Sequence, residues 1–90
     1  SQDCTILVTN ALAANGIYYH GWPVGYLSLG TVTNDPQPGD LIYYADGGLG
    51  MSHIAVYIGN GQAVHGGFYG GQTIVYSVNV GSGPVYIHIG

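Results

Sequence analysis

The chain carries one cysteine, Cys4, and four histidines, which are residue types that together can perform nucleophilic catalysis. Cys4 directly follows Asp3, a good helix N-cap, and begins a segment with apolar residues at helical spacing. The main-chain N–H groups at a helix start stabilise a thiolate, the form in which cysteine attacks. Because the sequence has a single cysteine, an intrachain disulfide is excluded. Cys4 is therefore interpreted either as a reactive thiol or as a small buried apolar side chain.

His53 is the candidate base for that thiol. It lies in a run from Ser52 to Ile58 whose residues alternate in character. Successive side chains of a strand point to opposite faces. The first face therefore carries His53, Ala55 and Tyr57, and the second face carries Ile54, Val56 and Ile58. We predict the second face to be the core, so that His53 points away from it, toward whatever covers the opposite face.

The position of His65 depends on the length of one loop. If Gly59, Asn60 and Gly61 form a three-residue loop, Ala55 lies opposite His65, which then shares the face of His53. If Asn60 and Gly61 instead form a two-residue type I′ turn, the register slips by one residue and His65 moves to the other face. In the first register Cys4 and the two histidines could serve as nucleophile, base and orienting residue.

Two plainer interpretations of these residues stay open. One cysteine and two histidines can also hold zinc, but the sequence lacks the paired C-x-x-C and H-x-x-x-H spacings of dedicated sites, so we predict no metal. Either histidine could also be a structural residue. Of the other two histidines, His88 is interpreted as structural or exposed, and His20 as lining a groove or simply lying in a loop.

The elements that must position these residues are one helix and about five strands. The helix is predicted from Asp3 to Asn15, and the segment from Ile17 to Pro38 is predicted to be a long loop with room for one short helical turn or strand. The short connections predict an antiparallel meander, with the helix packed on one face in an α+β fold. The predicted strands are Leu41–Tyr44, His53–Ile58, Gln62–Gly66, Thr73–Val80 and Pro84–Ile89.

The charge composition excludes several functions. The chain has no lysine or arginine and a net charge of −4 from four aspartates, so counterion release cannot drive nucleic-acid binding. The same absence argues against an anionic membrane surface as a partner. No apolar run approaches the roughly 18 residues that span a bilayer. With 90 residues we expect a single domain over 1–90 and a monomer. Its abrupt start before Cys4 indicates a catalytic module excised from a larger protein.

Four segments, in order, resemble the NlpC/P60 family of cell-wall peptidases. The segment Asp3-Cys4-Thr5 with Leu7-Val8 is similar to the family's D-C-(S/T)-x-L-V helix start. The segment Pro38–Tyr44 is similar to the family's P-G-D-L strand. The segment Ser52–Gly61 is similar to its S-H-V-x-(I/V)-Y-(I/L)-G-(N/D)-G hairpin, and Ala63–Gly66 is similar to the x-(I/V)-H-(A/G) strand that follows. Order and approximate spacing agree from Asp3 to Val80.

The resemblance implies a papain-like α+β fold and a role for each residue of the trio Cys4, His53 and His65. Cys4 is then the nucleophile, His53 the general base and later acid, and His65 the residue that orients the His53 ring. The Cys4 N–H would contribute to an oxyanion hole. The family hydrolyses stem-peptide bonds of bacterial peptidoglycan through an acyl-enzyme and without a cofactor. The resemblance also favours the three-residue loop between the two strands.

The same resemblance indicates where the substrate would bind and where the protein would act. Asp3 and Ser52 flank the catalytic residues, and His20 and Trp22 lie in an aromatic segment where the family usually has polar or basic residues. We expect a secreted or phage-encoded protein at the bacterial cell wall, such as an endolysin, tethered to a wall-targeting domain. Two alternatives are a CHAP-type N-acetylmuramoyl-L-alanine amidase and a non-catalytic cell-wall binding module.

Overall fold

One helix packed on one antiparallel sheet makes up most of the fold. The computed structural model describes residues 4–48, 50–68 and 71–89, and of Phe68 the backbone alone. Within these residues the class is α+β as predicted, and no helix there is long and apolar enough to cross a membrane. The elements are α1 (Cys4–Ala13), a 3-10 helix (Pro23–Leu29), β1 (Thr31–Thr33), β2 (Leu41–Tyr44), β3 (His53–Gly59), β4 (Gln62–Phe68), β5 (Gln72–Ser77) and β6 (Val85–His88).

Helix α1 is held to the sheet by one stripe of side chains. Thr5, Val8 and Leu12 are buried, and their spacing places them on one face of the helix, which packs against β3 and β4. The helix ends at Ala13, before the predicted end, where Gly16 adopts a φ of 80° and closes the last turn. The predicted cap, Asp3, lies outside the described residues.

The segment between α1 and β2 is more regular than the long loop predicted from sequence, since it holds both a 3-10 helix and β1. Pro23 starts the 3-10 helix, where its fixed φ suits a first turn and its missing N–H is not needed. Tyr26 is fully buried, and its hydroxyl lies 2.9 Å from the Thr9 hydroxyl and donates to the Thr5 carbonyl at 3.3 Å. These contacts with α1 hold the segment in place.

The six described strands form one sheet in the order β1-β6-β2-β3-β4-β5. Strands β2 to β5 form the predicted meander, but β6 crosses over to lie between β1 and β2, so the prediction is wrong for the last strand. The sixth strand is β1, which the sequence analysis did not resolve. The burial of Leu41, Ile42 and Tyr44 explains the crossover, because a strand this apolar needs neighbours on both sides.

Both faces of the sheet carry a core. The predicted core face is only partly right, because Ile54 is fully buried whereas Ile58, at the end of the strand beside the turn, is 42% exposed. The face of His53 is covered by the chain that follows β5. The helix-side core contains Val8, Leu12, Tyr26, Leu41, Ile54 and Ile87, and the opposite core contains Ile42, Tyr44, Ala55, Ala63 and Val78.

Candidate active site

The β3–β4 hairpin has the register that places both histidines on one face. Ala55 pairs with His65 and Tyr57 with Ala63, as the first of the two predicted registers requires. The turn has the two-residue form of the second prediction, although the strands have the register of the first. Asn60 and Gly61 have φ of 56° and 70°, as a type I′ turn requires, and an irregularity between Tyr57 and Gly59 adds one residue to β3 and so restores the register.

His53 and His65 form a buried hydrogen-bonded pair. The distance from His53 Nε2 to His65 Nδ1 is 3.0 Å, and the two rings are nearly parallel, with an angle of 15° between their planes. His53 is 6% exposed and His65 is fully buried. A pair this close and this well shielded from water holds each ring in one orientation.

A main-chain carbonyl determines the tautomers of this pair. His65 Nε2 lies 2.9 Å from the carbonyl oxygen of Ser77 at the end of β5. A carbonyl can only accept, so this nitrogen carries the proton of a neutral His65, and its Nδ1 keeps a lone pair. His53 Nε2 must then donate to His65 Nδ1, and the nitrogen of His53 that can take up a proton is Nδ1.

Burial keeps both imidazoles neutral near physiological pH. Loss of solvation, with a smaller contribution from the neighbouring His65, lowers the pKa of His53 from 6.5 to about 4. Burial also lowers the pKa of His65, although hydrogen bonds to the backbone of Ser77 and Tyr76 oppose this effect. A positive charge on His53 is therefore favourable only when a negative charge lies beside it.

Tyr44 supports the pair from the neighbouring strand. Its ring centroid lies 5.6 Å from that of His53 and 6.2 Å from that of His65. Its hydroxyl donates to the Val78 carbonyl at 2.6 Å, which fixes the ring between β2 and the chain after β5. In the sheet Tyr44, the last residue of β2, pairs directly with His53.

Cys4 begins helix α1 and is half-buried beside the helix-side core. The helix packs on the two strands that carry His53 and His65. A thiol in the first turn of a helix lies near the positive end of the helix dipole, which favours the thiolate. The structure thus joins the two histidines directly, and it places Cys4 at the start of the helix that packs on the other face of their strands.

The other predicted site residues lie further out. Ser52 is exposed immediately before β3, and Trp22 is 83% exposed at the start of the 3-10 helix. His20 is also exposed, and its Nδ1 lies 2.8 Å from the Thr9 hydroxyl on α1. Asp3, the fourth proposed substrate contact, lies outside the described residues.

His88 fits both predicted interpretations, because its side chain is exposed and also has a structural partner. Its Nδ1 lies 2.7 Å from Oδ1 of the buried Asp40, whose Oδ2 accepts the Gln37 N–H at 2.8 Å. Both oxygens of this carboxylate are therefore bonded, and they tie β6 to the turn before β2. Across residues 4–48, 50–68 and 71–89, no three histidine, cysteine or acidic side chains gather in a metal-binding group.

The chain is similar to three known proteins. Over 32 residues the chain is 44% identical to the probable endopeptidase p60 of Listeria seeligeri, a match covering 36% of this chain and 6% of that protein. The fold matches the peptidoglycan hydrolase RipB of Mycobacterium tuberculosis with a TM-score of 0.81 and 29% identity, over 97% of this chain and 44% of that chain. It also matches RipD of that organism, a non-catalytic NlpC/p60 domain protein adapted to peptidoglycan binding, with a TM-score of 0.78 and 24% identity, over 99% of this chain and 67% of that one.

These matches differ in what they establish. The likeness to RipD concerns the fold alone, and the chain spans less than half of RipB and a small part of the p60 protein. The model of the NlpC/P60 family, in contrast, matches residues 1–86, nearly the whole sequence. The chain belongs to the NlpC/P60 family.

Proposed function

We propose that this chain is a cysteine endopeptidase that hydrolyses stem-peptide bonds of bacterial peptidoglycan. The observation that carries the proposal is the buried pair of His53 and His65, whose 3.0 Å hydrogen bond and Ser77 contact leave Nδ1 of His53 as the basic nitrogen. Family membership and the likeness to a peptidoglycan hydrolase support the substrate class. A binding module would have no need for this arrangement of imidazoles together with Cys4.

In the proposed reaction His53 Nδ1 takes the proton of the Cys4 thiol as the sulfur attacks the scissile carbonyl. The oxyanion of the tetrahedral intermediate accepts a hydrogen bond from the Cys4 main-chain N–H. The intermediate collapses to a thioester, and the departing amine receives the proton from His53. A water molecule that gives a proton to His53 then attacks the thioester, which releases the new carboxylate and restores the thiol.

The charge composition gives His53 a second task in this mechanism. The chain has no lysine or arginine, so a protonated histidine is the cationic side chain that can lie beside the Cys4 thiolate. Because burial lowers the pKa of His53 to about 4, its imidazolium depends on that thiolate for stability. His65 assists by accepting the Nε2–H of His53, a bond that strengthens when His53 is charged.

The proposal also covers the residues that contact the substrate and the place where the domain acts. Asp3, Ser52, His20 and Trp22 are the proposed substrate contacts. The domain acts at the bacterial cell wall, outside the cytoplasm, as a monomeric module of a secreted or phage-encoded lytic protein such as an endolysin. The absence of cationic side chains leaves it no charge attraction to anionic wall polymers, so a separate domain would supply targeting.

The test is to incubate purified peptidoglycan with the wild type and with Cys4→Ala, and to identify new termini by mass spectrometry. We expect new amino groups within stem peptides from the wild type and none from the variant. Release of whole stem peptides from muramic acid would identify a CHAP-type amidase instead. Sedimentation of both proteins with the wall without any new terminus would identify a binding module. Equal cleavage by both proteins would exclude Cys4 as the nucleophile.

A further inference from the structure

The loop that follows β2 is held by one carboxylate. Oδ1 of Asp46 accepts the N–H of Gly48 at 2.7 Å and that of Gly50 at 2.9 Å. The N–H of Gly47 donates to the Met51 carbonyl at 2.7 Å, which closes the loop just before β3 begins. The catalytic proposal assigns no role to Asp46, although the sequence places it close to His53.

Gly47 carries this loop against His53. A Cβ atom at position 47 would lie 2.5 Å from the Cβ of His53 and 3.1 Å from its Cγ, closer than real side chains approach. The φ of Gly47 lies outside the left-handed region that favours glycine. Glycine is therefore required at position 47 by the close approach to His53 and not by the turn itself.

A second segment fixes the loop from the other side. Ser82, between β5 and β6, donates its N–H to the Asp46 carbonyl at 2.7 Å, and its hydroxyl accepts the Asp46 N–H at 3.0 Å. Beside it Gly81 has a φ of 60°, and a Cβ there would lie 2.1 Å from the Asp46 carbonyl oxygen. The two segments thus meet backbone to backbone.

We propose that Asp46, Gly47, Gly81 and Ser82 form a His53 seat, and that Asp46 is a positioning residue for the base. This inference rests on the proposed function, in which His53 takes the proton of Cys4. His53 is the first residue of β3, and its predecessors Met51 and Ser52 are exposed. Tyr44 and His65 contact its ring, whereas the seat contacts its Cβ, so together they fix the side chain at both ends.

The sharpest test is Gly47→Ala, with Gly83→Ala as the matched control. The added methyl group at position 47 must displace His53 or the loop, while a Cβ at position 83 meets no atom within 4 Å and needs no unusual φ. Since a displacement of about 1 Å at a catalytic group can lower turnover about 100-fold, we expect kcat to fall roughly 10- to 100-fold in Gly47→Ala, with KM changed less than about threefold. Gly83→Ala should keep the wild-type kcat.

A second pair of variants tests the carboxylate. Asp46→Ala removes both bonds to the loop, and kcat should fall by a factor of about 10 or more. Asp46→Asn keeps an oxygen that accepts both N–H groups and should restore kcat to within about threefold of the wild type. If Gly47→Ala does not fold, this pair decides the question. Wild-type turnover in Asp46→Ala, or no restoration in Asp46→Asn, would overturn the proposal.

A readout without substrate separates this proposal from the proposed function. The nitrogen chemical shifts of the imidazoles report whether His53 carries its proton on Nε2. We expect that single tautomer in the wild type, in Gly83→Ala and in Asp46→Asn, and a mixture in Gly47→Ala and Asp46→Ala. If the wild type cleaves no peptidoglycan but these shifts change as expected, the proposed function fails and the seat stands. Unchanged shifts in Gly47→Ala would overturn the seat, whatever the wild type cleaves.

Discussion

The β3–β4 hairpin and the segment from Ile17 to Gly30 both contain several glycines, but they differ in how they are held. In the hairpin the pleat and the register place His53 and His65 on one face, and both histidines are buried. In the segment the buried Tyr26 and the exposed His20 both contact Thr9 on α1, and Trp22 stays 83% exposed. The hairpin thus holds a fixed polar pair, whereas the segment presents exposed aromatic side chains such as Trp22.

The largest expected effect comes from shortening the hairpin by two residues. Deleting Ile58 and Gly59 together leaves the turn at Asn60 and Gly61 but pairs His65 with Ile54, which moves His65 to the helix-side face. We expect peptidoglycan cleavage to fall to the level of Cys4→Ala. Deleting Gly59 alone removes the irregularity and keeps Tyr57 opposite Ala63, so this control should stay active. An active double deletion would contradict the role given to the register.

The next effect is the loss of the His65 contact. His65→Ala leaves His53 without its acceptor, and kcat should fall at least about 100-fold. His65→Asn offers an amide oxygen in that direction and should recover about tenfold of the loss. Steady-state kinetics on a soluble stem peptide measures both values. Equal rates for the two variants would show that orientation of His53 does not depend on this bond.

Acid should destabilise the protein through the hairpin. The pKa of His53 is lowered from 6.5 to about 4 in the folded state, so between these values the unfolded chain binds a proton that the folded chain does not. The free energy of unfolding should therefore fall by about 3 kcal/mol as the pH drops from 6.5 through 4. Denaturant titrations at several pH values measure this slope. His53→Gln should reduce it to the contribution of His65, whose pKa burial also lowers. If the free energy of unfolding of the wild type did not change over this pH range, the expectation would be contradicted.

The smallest effects are expected in the aromatic segment. Tyr26→Phe removes a buried hydroxyl that contacts Thr9 and Thr5, and should cost about 1 kcal/mol of unfolding free energy. Trp22→Ala should change that free energy by less than about 0.5 kcal/mol, because its side chain is 83% exposed. If Trp22 contacts substrate, this variant raises KM instead. An unchanged KM would remove Trp22 from the proposed substrate contacts.

The sequence predicted the hairpin well because its information is local. Strict alternation and one turn determine the faces of a two-stranded unit, so the pairing of His53 with His65 needed only the choice between two registers. The structure obtains the expected register from a two-residue turn and an extra residue in β3. That combination was not among the two alternatives considered, because an irregularity inside a strand has no clear pattern of its own.

Contacts between distant segments were harder to predict. The position of β6 beside β2 depends on which strands need two neighbours, and β1 is too short, with three residues, for alternation to indicate it. The seat of His53 joins Asp46 to Ser82, which is 36 residues away along the chain. Nothing in the sequence around Gly47 indicates that it lies against the side chain of His53.

The carbonyl of Ser77 has a consequence for mutational scanning. It decides which nitrogen of each imidazole carries a proton, yet it belongs to the peptide backbone and is present whatever side chain occupies position 77. A survey of all substitutions at that position would rate it by the side chain alone and would miss this role. Replacing the amide between residues 77 and 78 by an ester weakens the carbonyl as an acceptor and also removes the Val78 N–H that donates to the Gly61 carbonyl at 2.9 Å. The nitrogen chemical shifts of the two imidazoles would then report the effect on their tautomers. The chemistry of the site thus depends partly on an atom that the genetic code cannot change.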